Sequence, residues 1–541
     1  MSLLFALDPP LYLFALLPVT VAAFGFFLPR RAFFGVLLVT NLVMVALATS
    51  VFIEVRWGQE VVHYIASWPY GIAISLVADR YSAPMILLTA LFFAGAFIFS
   101  TRAEYMGKVF MFLFMMLESA IFGMFLSGDI FNVYVMFELG MLTIAILMMY
   151  KREKQSIYDA MLYVMMNFIA MAFMLLGIGY LYRITGVLDF MAMQERFALL
   201  EDPRSVIVPY ALVLTAVSLK AALLPLFGWL PRAHGAPSAP GIVSAVLSGI
   251  QVKVGVYLLV RLTEVFGPII DATPFFAIIG FLTSVVGFLL AIAQKDIKLI
   301  LAYHTVSQVG LIVMGLNVGT EVAFWGGMYH VINHALFKGL LFLTAGVIID
   351  EYGTRNYSEI RGVLRRMPVV GLAALAGVLG ITGAPFFNGS ISKYFIQAGL
   401  QGDFSELGLY LINFGTILSF VKYSTILFGE PTIAPLARKD PYVAAVSSTF
   451  GLACLAGGIL GGPAVALVYG RQYAASGAFG VDKIAIFGIT LLLGVLVYAG
   501  IVERIGAFLT SVREFKFSYN QTTVFLTGFF AILLVYAYIT V

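Results

Sequence analysis

The sequence predicts an all-α integral membrane protein. Three observations carry that prediction. Of 541 residues, 61% are hydrophobic and only 11% are charged. Mean hydropathy is +1.00. Apolar runs long enough to cross ~30 Å of hydrocarbon recur from end to end. A soluble domain carries about 25% charged residues, and no segment between the runs is long enough to hold one. The opening stretch, Met1 to Pro10, lacks the basic region of a secretory signal. The single cysteine, Cys454, excludes an intramolecular disulfide framework. The net charge of +4 is spread over loops and builds no face for nucleic acid.

Taken in order, about sixteen spans are predicted. They cover 10–28, 33–53, 83–100, 109–127, 131–150, 158–182, 208–230 and 239–262. They continue at 274–293, 298–317, 322–349, 367–397, 405–428, 442–468, 484–502 and 520–540. The longer runs must tilt, break or lie partly in the interface. Loop charge supports the count. With the N-terminus outside, the predicted cytoplasmic loops hold 19 of the 32 lysines and arginines, among them Lys151, Arg438, Lys439 and Lys516. The opposite loops hold 8. This is the asymmetry of the positive-inside rule. It places both termini of a multi-pass membrane protein outside.

The remaining five lysines, Lys220, Lys253, Lys338, Lys393 and Lys422, fall inside spans, as do Glu118 and Glu138. A charge at the bilayer centre costs about 3 kcal/mol by insertion scales and on the order of 10 kcal/mol by simulation. Seven such residues imply use, and passage of protons or another small cation is the economical use.

Two spans are interrupted beside a lysine. One runs Ser218-Leu219-Lys220-Ala221-Ala222-Leu223-Leu224-Pro225 and on to Pro231-Arg232-Ala233-His234. The other runs from Gly380-Ile381-Thr382-Gly383-Ala384-Pro385 to Ser392-Lys393. Proline removes a donor and clashes with the preceding turn. The freed backbone groups are tolerated in a membrane only against protein or water. Paired breaks in two halves of a chain point to a transporter built from inverted repeats; the bland alternative is ordinary kinks. No residue-level repeat is evident in the sequence.

Glu138 lies mid-span, so a partner must come from another helix. A glutamate near a lysine can hold or release the lysine's proton through a small change in distance; the alternative is a static buried ion pair, which stabilises weakly. His330, His334 and Lys338 stand four residues apart on one helical face. Histidines can relay protons along a hydrated path. The same spacing suits a metal, although no carboxylate or cysteine accompanies it, and the residues could simply glue helices together. Lys253 and Lys393, with Lys220, supply further bases near mid-membrane. Lys422 lies nearer a span end and is expected to snorkel. Glu118 either carries its own proton or faces a neighbouring chain. His234 and His304 lie toward predicted cytoplasmic ends, as proton-uptake groups or plain interfacial histidines.

These stretches resemble a known family. Gly128 to Glu138, Ser218 to His234 with Ala236-Pro237-Ser238, Tyr329 to Lys338, and Gly389 to Lys393 are similar to the antiporter-like subunits of Mrp cation/proton antiporters. That superfamily includes proton-pumping subunits of respiratory complex I and of membrane-bound hydrogenases. The resemblance covers roughly residues 80 to 430, and the run from Gly128 looks most like the D-type subunits of Mrp antiporters.

The resemblance implies about fourteen core helices with two inverted five-helix repeats, each containing a broken helix. It divides the chain into N-terminal helices (1–108), a first antiporter repeat (109–262), a second (263–430), and C-terminal helices with an extension (431–541). It also implies a proton path: Glu138 paired with Lys220, then Lys253, the central His330, His334 and Lys338, and terminal Lys393. Two features depart from the family: Glu118 in the fourth helix, and the two added spans at 484–540, whose connector from Glu503 to Asn520 is too short for a long lateral helix.

The expected function is therefore that of a proton-translocating subunit of a multisubunit membrane complex, exchanging a monovalent cation, Na⁺ first, for protons. The alternative is a proton-pumping subunit of a complex I-like or hydrogenase oxidoreductase. With no cysteine cluster and no nucleotide-binding glycine loop, the expectation is no cofactor, no metal and no redox centre in this chain. The expected partners are other membrane subunits, protons, Na⁺ and lipid. A self-sufficient transporter of an organic substrate and a purely structural scaffold are the rivals from other classes.

Overall fold

A computed structural model describes residues 10–56, 59–150, 152–235, 239–432, 440–502, 504–514 and 518–541. The motif Ala236-Pro237-Ser238, the loop charges Lys151, Arg438, Lys439 and Lys516, residue Glu503 and the first nine residues lie outside the described residues. Among the described residues, twelve helices are long and apolar enough to cross a membrane. Chain contacts divide the molecule into two units. The first holds residues 1–221, 251–272 and 519–541, and the second holds 222–250 and 273–518.

The first unit opens with α1 (Tyr12–Gly25) and α2 (Arg30–Arg56). A two-stranded antiparallel hairpin follows, β1 (Val61–Tyr64) on β2 (Ser75–Ala78), which the helical reading of the sequence passed over. Its strands are four residues each, too short for an apolar alternation to stand out. Then come α3 (Ser82–Phe99), α4 (Lys108–Leu126), α5 (Ile130–Met148), α6 (Lys154–Thr185), α7 (Phe190–Phe197) and α8 (Ile207–Lys220). The chain enters the second unit with α9 (Trp229–Gly235) and α10 (Gly241–Val246), and passes through a π turn at Leu247–Gln251. It returns to the first unit as α11 (Val252–Phe266).

The second unit continues with α12 (Thr273–Ala293), α13 (Ile297–Asn317), α14 (Glu321–Tyr352), α15 (Val363–Arg366), α16 (Pro368–Thr382) and α17 (Asn388–Gly399). It ends with α18 (Asp403–Ser424), α19 (Pro441–Ile459), α20 (Gly461–Tyr469), α21 (Val481–Val497) and α22 (Gly506–Glu514). The last helix, α23 (Tyr519–Thr540), belongs to the first unit and packs on its α6 and α8. The short connector contains α22, a single nine-residue helix.

Both expected breaks are present. The span begun by α8 stops at Lys220 and resumes as α9 only at Trp229. The span begun by α16 stops at Thr382, turns through Gly383 at φ +75°, and resumes at Asn388. Each half is then shorter than the ~20 residues a continuous crossing needs.

A repeat invisible in the sequence emerges in the backbone. In the first unit, Asp129 caps α5 by accepting from the Asn132 amide at 2.7 Å. The 32-residue α6 ends at left-handed Gly186, and the chain comes back so that the Ile130 amide donates to Leu188 O at 3.0 Å. In the second unit, Asp296 caps α13, the 32-residue α14 ends at left-handed Gly353, and the Ile297 amide donates to Arg355 O at 2.9 Å. Each of these positions stands 167 residues after its counterpart. Of these positions the cap Asp, the Ile after it and the turn glycine are kept in sequence; the cap and the glycine answer to backbone geometry, and the other identities at this spacing, such as Met161 with Met328 and Val164 with Val331, are scattered.

Lys422 does not snorkel. It is buried on α18, and its ammonium donates to Ile292 O at 2.6 Å and to Gln294 O, over the Tyr357 ring. Arg513 donates to Ala293 O at 3.2 Å. The two cations thus satisfy the orphan carbonyls at the C-terminus of α12. Lys422→Met is expected to destabilise the protein by about 2 kcal/mol, because those carbonyls lose a charged donor. A fall in thermal midpoint, with unchanged proton flux in the protein that does assemble, is the checking result.

Candidate functional site

In the first unit the charged candidates lie on α4, α5, α8 and α11, and α6 supplies a hydrogen-bond partner. The Lys220 ammonium is buried at the last turn of α8, where the helix stops. It donates to Asn167 Oδ1 of α6 at 3.0 Å and lies 5.1 Å from the Phe137 ring centre. The Asn167 amide is aimed by its own Nδ2, which donates to Tyr163 O one turn back at 2.8 Å. Glu138 is close enough to Lys220 to interact electrostatically, yet no ion pair within 4.0 Å joins them. The resemblance pairs Glu138 with Lys220; in the structure the lysine's hydrogen-bond partner is instead a neutral amide.

Lys253 is fully buried on α11. Two residues on, a Cβ at Gly255 would lie 2.5 Å from the Ala221 nitrogen and 2.6 Å from the Lys220 carbonyl carbon. Only glycine permits α11 to touch the end of α8 there, which draws the segment carrying Lys253 up to the break. Glu118 is also fully buried, and neither of its carboxylate oxygens has a hydrogen-bond partner. Its full burial sets it away from the surface that a neighbouring chain would reach.

In the second unit, α14 carries His330, His334 and Lys338, all fully buried. The two imidazole ring centres are 6.4 Å apart. His330 Nδ1 pairs with Ser392 Oγ at 2.8 Å, and its Nε2 pairs with Gln308 Oε1 at 3.1 Å. Gln308 in turn reaches Thr416 Oγ1 at 3.4 Å. Both nitrogens of His330 are therefore engaged by neutral polar groups. The Lys338 ammonium donates to Leu301 O at 2.7 Å and sits near the rings of Phe342 and Phe420.

Lys393 follows Ser392 on α17, one residue beyond the His330 contact. Its ammonium donates to Ile381 O at 3.0 Å, a carbonyl of the last turn of α16. The break thus provides an acceptor at the negative end of a helix dipole, where a cation is favoured. His304 and His234, expected toward the surface, are both fully buried: His304 lies against Phe420 and His234 stacks on Phe342 at 4.5 Å.

Sequence reasoning missed Asn167, Gln308, Ser392 and Thr416. None is charged, so none carries an obvious membrane penalty. The available signal was a lone amide in an apolar run, as in Val164-Met165-Met166-Asn167-Phe168-Ile169.

Known proteins are similar to this chain. Residues 127–420 match the family described as NADH:quinone oxidoreductase/Mrp antiporter, TM. NADH-quinone oxidoreductase subunit N of Desulforudis audaxviator is 34% identical over 355 residues, which are 63% of this chain and 70% of the relative. The D-type subunit of the Na⁺/H⁺ antiporter of Alkalihalophilus pseudofirmus is 32% identical over 341 residues, 61% of this chain and 68% of the relative. A chain in the structure of the Mrp complex from Dietzia sp. superposes with a TM-score of 0.79 at 24% identity, covering 91% of this chain and 100% of that one, and so shares its fold. The matched region holds both helix breaks and all the proton-handling candidates outside Glu118, and the chain belongs to the NADH:quinone oxidoreductase/Mrp antiporter transmembrane family.

Proposed function

We propose that this protein is a proton-translocating subunit of a multisubunit membrane complex, exchanging a monovalent cation, Na⁺ first, for protons. The observation that carries the proposal is the state of Lys220. It is a buried amine hydrogen-bonded to a neutral amide, with a carboxylate nearby but not in contact. A structural ion pair would be closed, because an unpaired buried charge is costly. An open one responds to small movements of Glu138 by gaining or losing attraction for the proton. Lys253 in the first unit, and His330, His334, Lys338 and Lys393 in the second, supply the further proton-handling groups. His234, His304 and Glu118 are accessory.

A neighbouring membrane chain is supported by the surroundings of Glu138. This half-buried acid lies along the face of α5 that exposes Phe131, Val135, Leu142 and Ile146. An acid on an otherwise apolar membrane face is favoured only when protein or water covers it. The chain resides in a prokaryotic plasma membrane, with both termini outside by the loop-charge asymmetry.

A second reading, in which a redox partner drives this chain as a proton pump, is favoured by the similarity to the NADH-quinone oxidoreductase relative. One experiment addresses both. In inverted vesicles bearing the whole complex, Na⁺ is expected to dissipate a preformed ΔpH, and Glu138→Ala and Lys220→Ala are each expected to abolish this at normal assembly. Flux that requires an electron donor in the wild type would replace the antiporter reading with the redox-driven one. Normal transport by both variants would overturn the mechanism.

A further inference from the structure

The second unit contains a cavity of about 480 Å³ that the proton-handling row does not account for. It lies beside the broken helix. Lys393 of α17 reaches it from one side, Asn413 of α18 from another, and Lys483 and Thr490 of α21 close a third. α21 lies beyond residues 127–420, the region that the family description matches.

Three features describe the occupant. The volume has room for on the order of fifteen waters at about 30 Å³ each. The Asn413 Oδ1 is buried and accepts no hydrogen bond from the protein. Such an acceptor is costly unless a donor from outside the chain reaches it. The Lys393 ammonium, with three protons to donate, has one protein acceptor, Ile381 O. At the wall, a string of side chains joins the three helices: Lys483 Nζ donates to Gln397 Oε1 at 3.1 Å, and Gln397 Nε2 donates to the Tyr410 hydroxyl at 2.8 Å.

We infer that the C-terminal helix α21 completes a water-filled chamber through which Lys393 exchanges protons with solvent, its wall held by the Lys483–Gln397–Tyr410 string. The inference rests on the reading of Lys393 as a proton-handling group. In that arrangement Asn413 and Lys393 are hydrated from the same chamber. The opposite face of α21 at Leu492 and its flank at Ile489, each 60% exposed, meet lipid or a neighbour and stay dry.

Thiol accessibility in the whole complex tests this. The native Cys454 is fully buried and is replaced by serine. Asn413→Cys, Thr490→Cys and Ile489→Cys are then treated, in vesicles of both orientations, with a charged, membrane-impermeant thiosulfonate. Labelling after denaturation measures how much of each variant is present. Asn413→Cys and Thr490→Cys are expected to react at least tenfold faster than Ile489→Cys, from one side of the membrane, and modification of Asn413→Cys should lower proton flux at least tenfold. Thr490 is on a half-exposed helix face, so that variant stays informative if Asn413→Cys fails to assemble. Reaction of both chamber positions no faster than Ile489→Cys would mean a dry or lipid-filled cavity. Full labelling with unchanged flux would remove the chamber from the route of Lys393. Either result overturns the inference. Failure of the underlying reading registers separately, as normal flux in unlabelled Lys393→Ala.

Discussion

Asn167→Asp is expected to stop proton flux while leaving assembly intact. In the native protein the Lys220 ammonium is held at 3.0 Å by an uncharged oxygen. A carboxylate of nearly the same shape at that distance closes the ion pair that Glu138 leaves open. In the protein interior such a pair is worth several kcal/mol of Coulomb attraction at an effective dielectric near 20, and the lysine then retains its proton through the cycle. Proton-transfer groups typically contribute on the order of 100-fold or more in rate, so a fall in flux of about that size is anticipated. Asn167→Leu provides the contrast. It removes the acceptor without adding charge, and a lost hydrogen bond to a charged group costs about 1.5–3 kcal/mol, so flux should fall by roughly ten- to a hundredfold. The measurement is ΔpH dissipation in vesicles matched for assembled complex. Normal flux in Asn167→Asp would mean that Lys220 does not need to lose its proton.

Gly389→Ala is expected to cost both assembly and flux. Gly389 is the second residue of α17, and a Cβ there would stand 1.9 Å from the Gly380 carbonyl oxygen of α16. The obstacle is backbone, so no rotamer relieves it. Restoring an ordinary carbon–oxygen separation of about 3.3 Å requires the two half-helices to part by on the order of 1.4 Å. That displacement pulls Lys393 away from the Ile381 oxygen it now meets at 3.0 Å. Overpacking of a buried contact typically costs about 1–3 kcal/mol, and a contact this close falls at or above the upper end. Gly488→Ala is the control: on α21, nothing lies within 4 Å of the added methyl. Gly488→Ala should match the wild type in thermal midpoint and flux, and Gly389→Ala should lose both. If Gly389→Ala assembles with native flux, the close approach of α16 and α17 is not needed for transport.

The two predictions mark different kinds of legibility. Lys220, Lys253, His330, His334, Lys338 and Lys393 could be read from the chain because charge in a membrane is expensive wherever it points. The helix breaks could be read as well, since proline and glycine act on their own backbone. The membrane class follows from composition for the same reason: each cost is local, and summing along the sequence suffices.

Tertiary structure decided the partners. That Lys220 meets Asn167, that His330 lies between Ser392 and Gln308, and that Lys422 caps α12 all depend on which residues from distant helices arrive at one point. Uncharged polar residues carry too small a local penalty to announce themselves. The repeat at 167 residues stayed hidden for a related reason. The two segments share their caps and left-handed turns, so Asp129 with Asp296 and Gly186 with Gly353 recur, while the other identities at this spacing are too scattered to stand out. Local energies wrote the helices, breaks and buried charges into the sequence; the hydrogen-bonded surroundings of those charges arise only when separate helices pack.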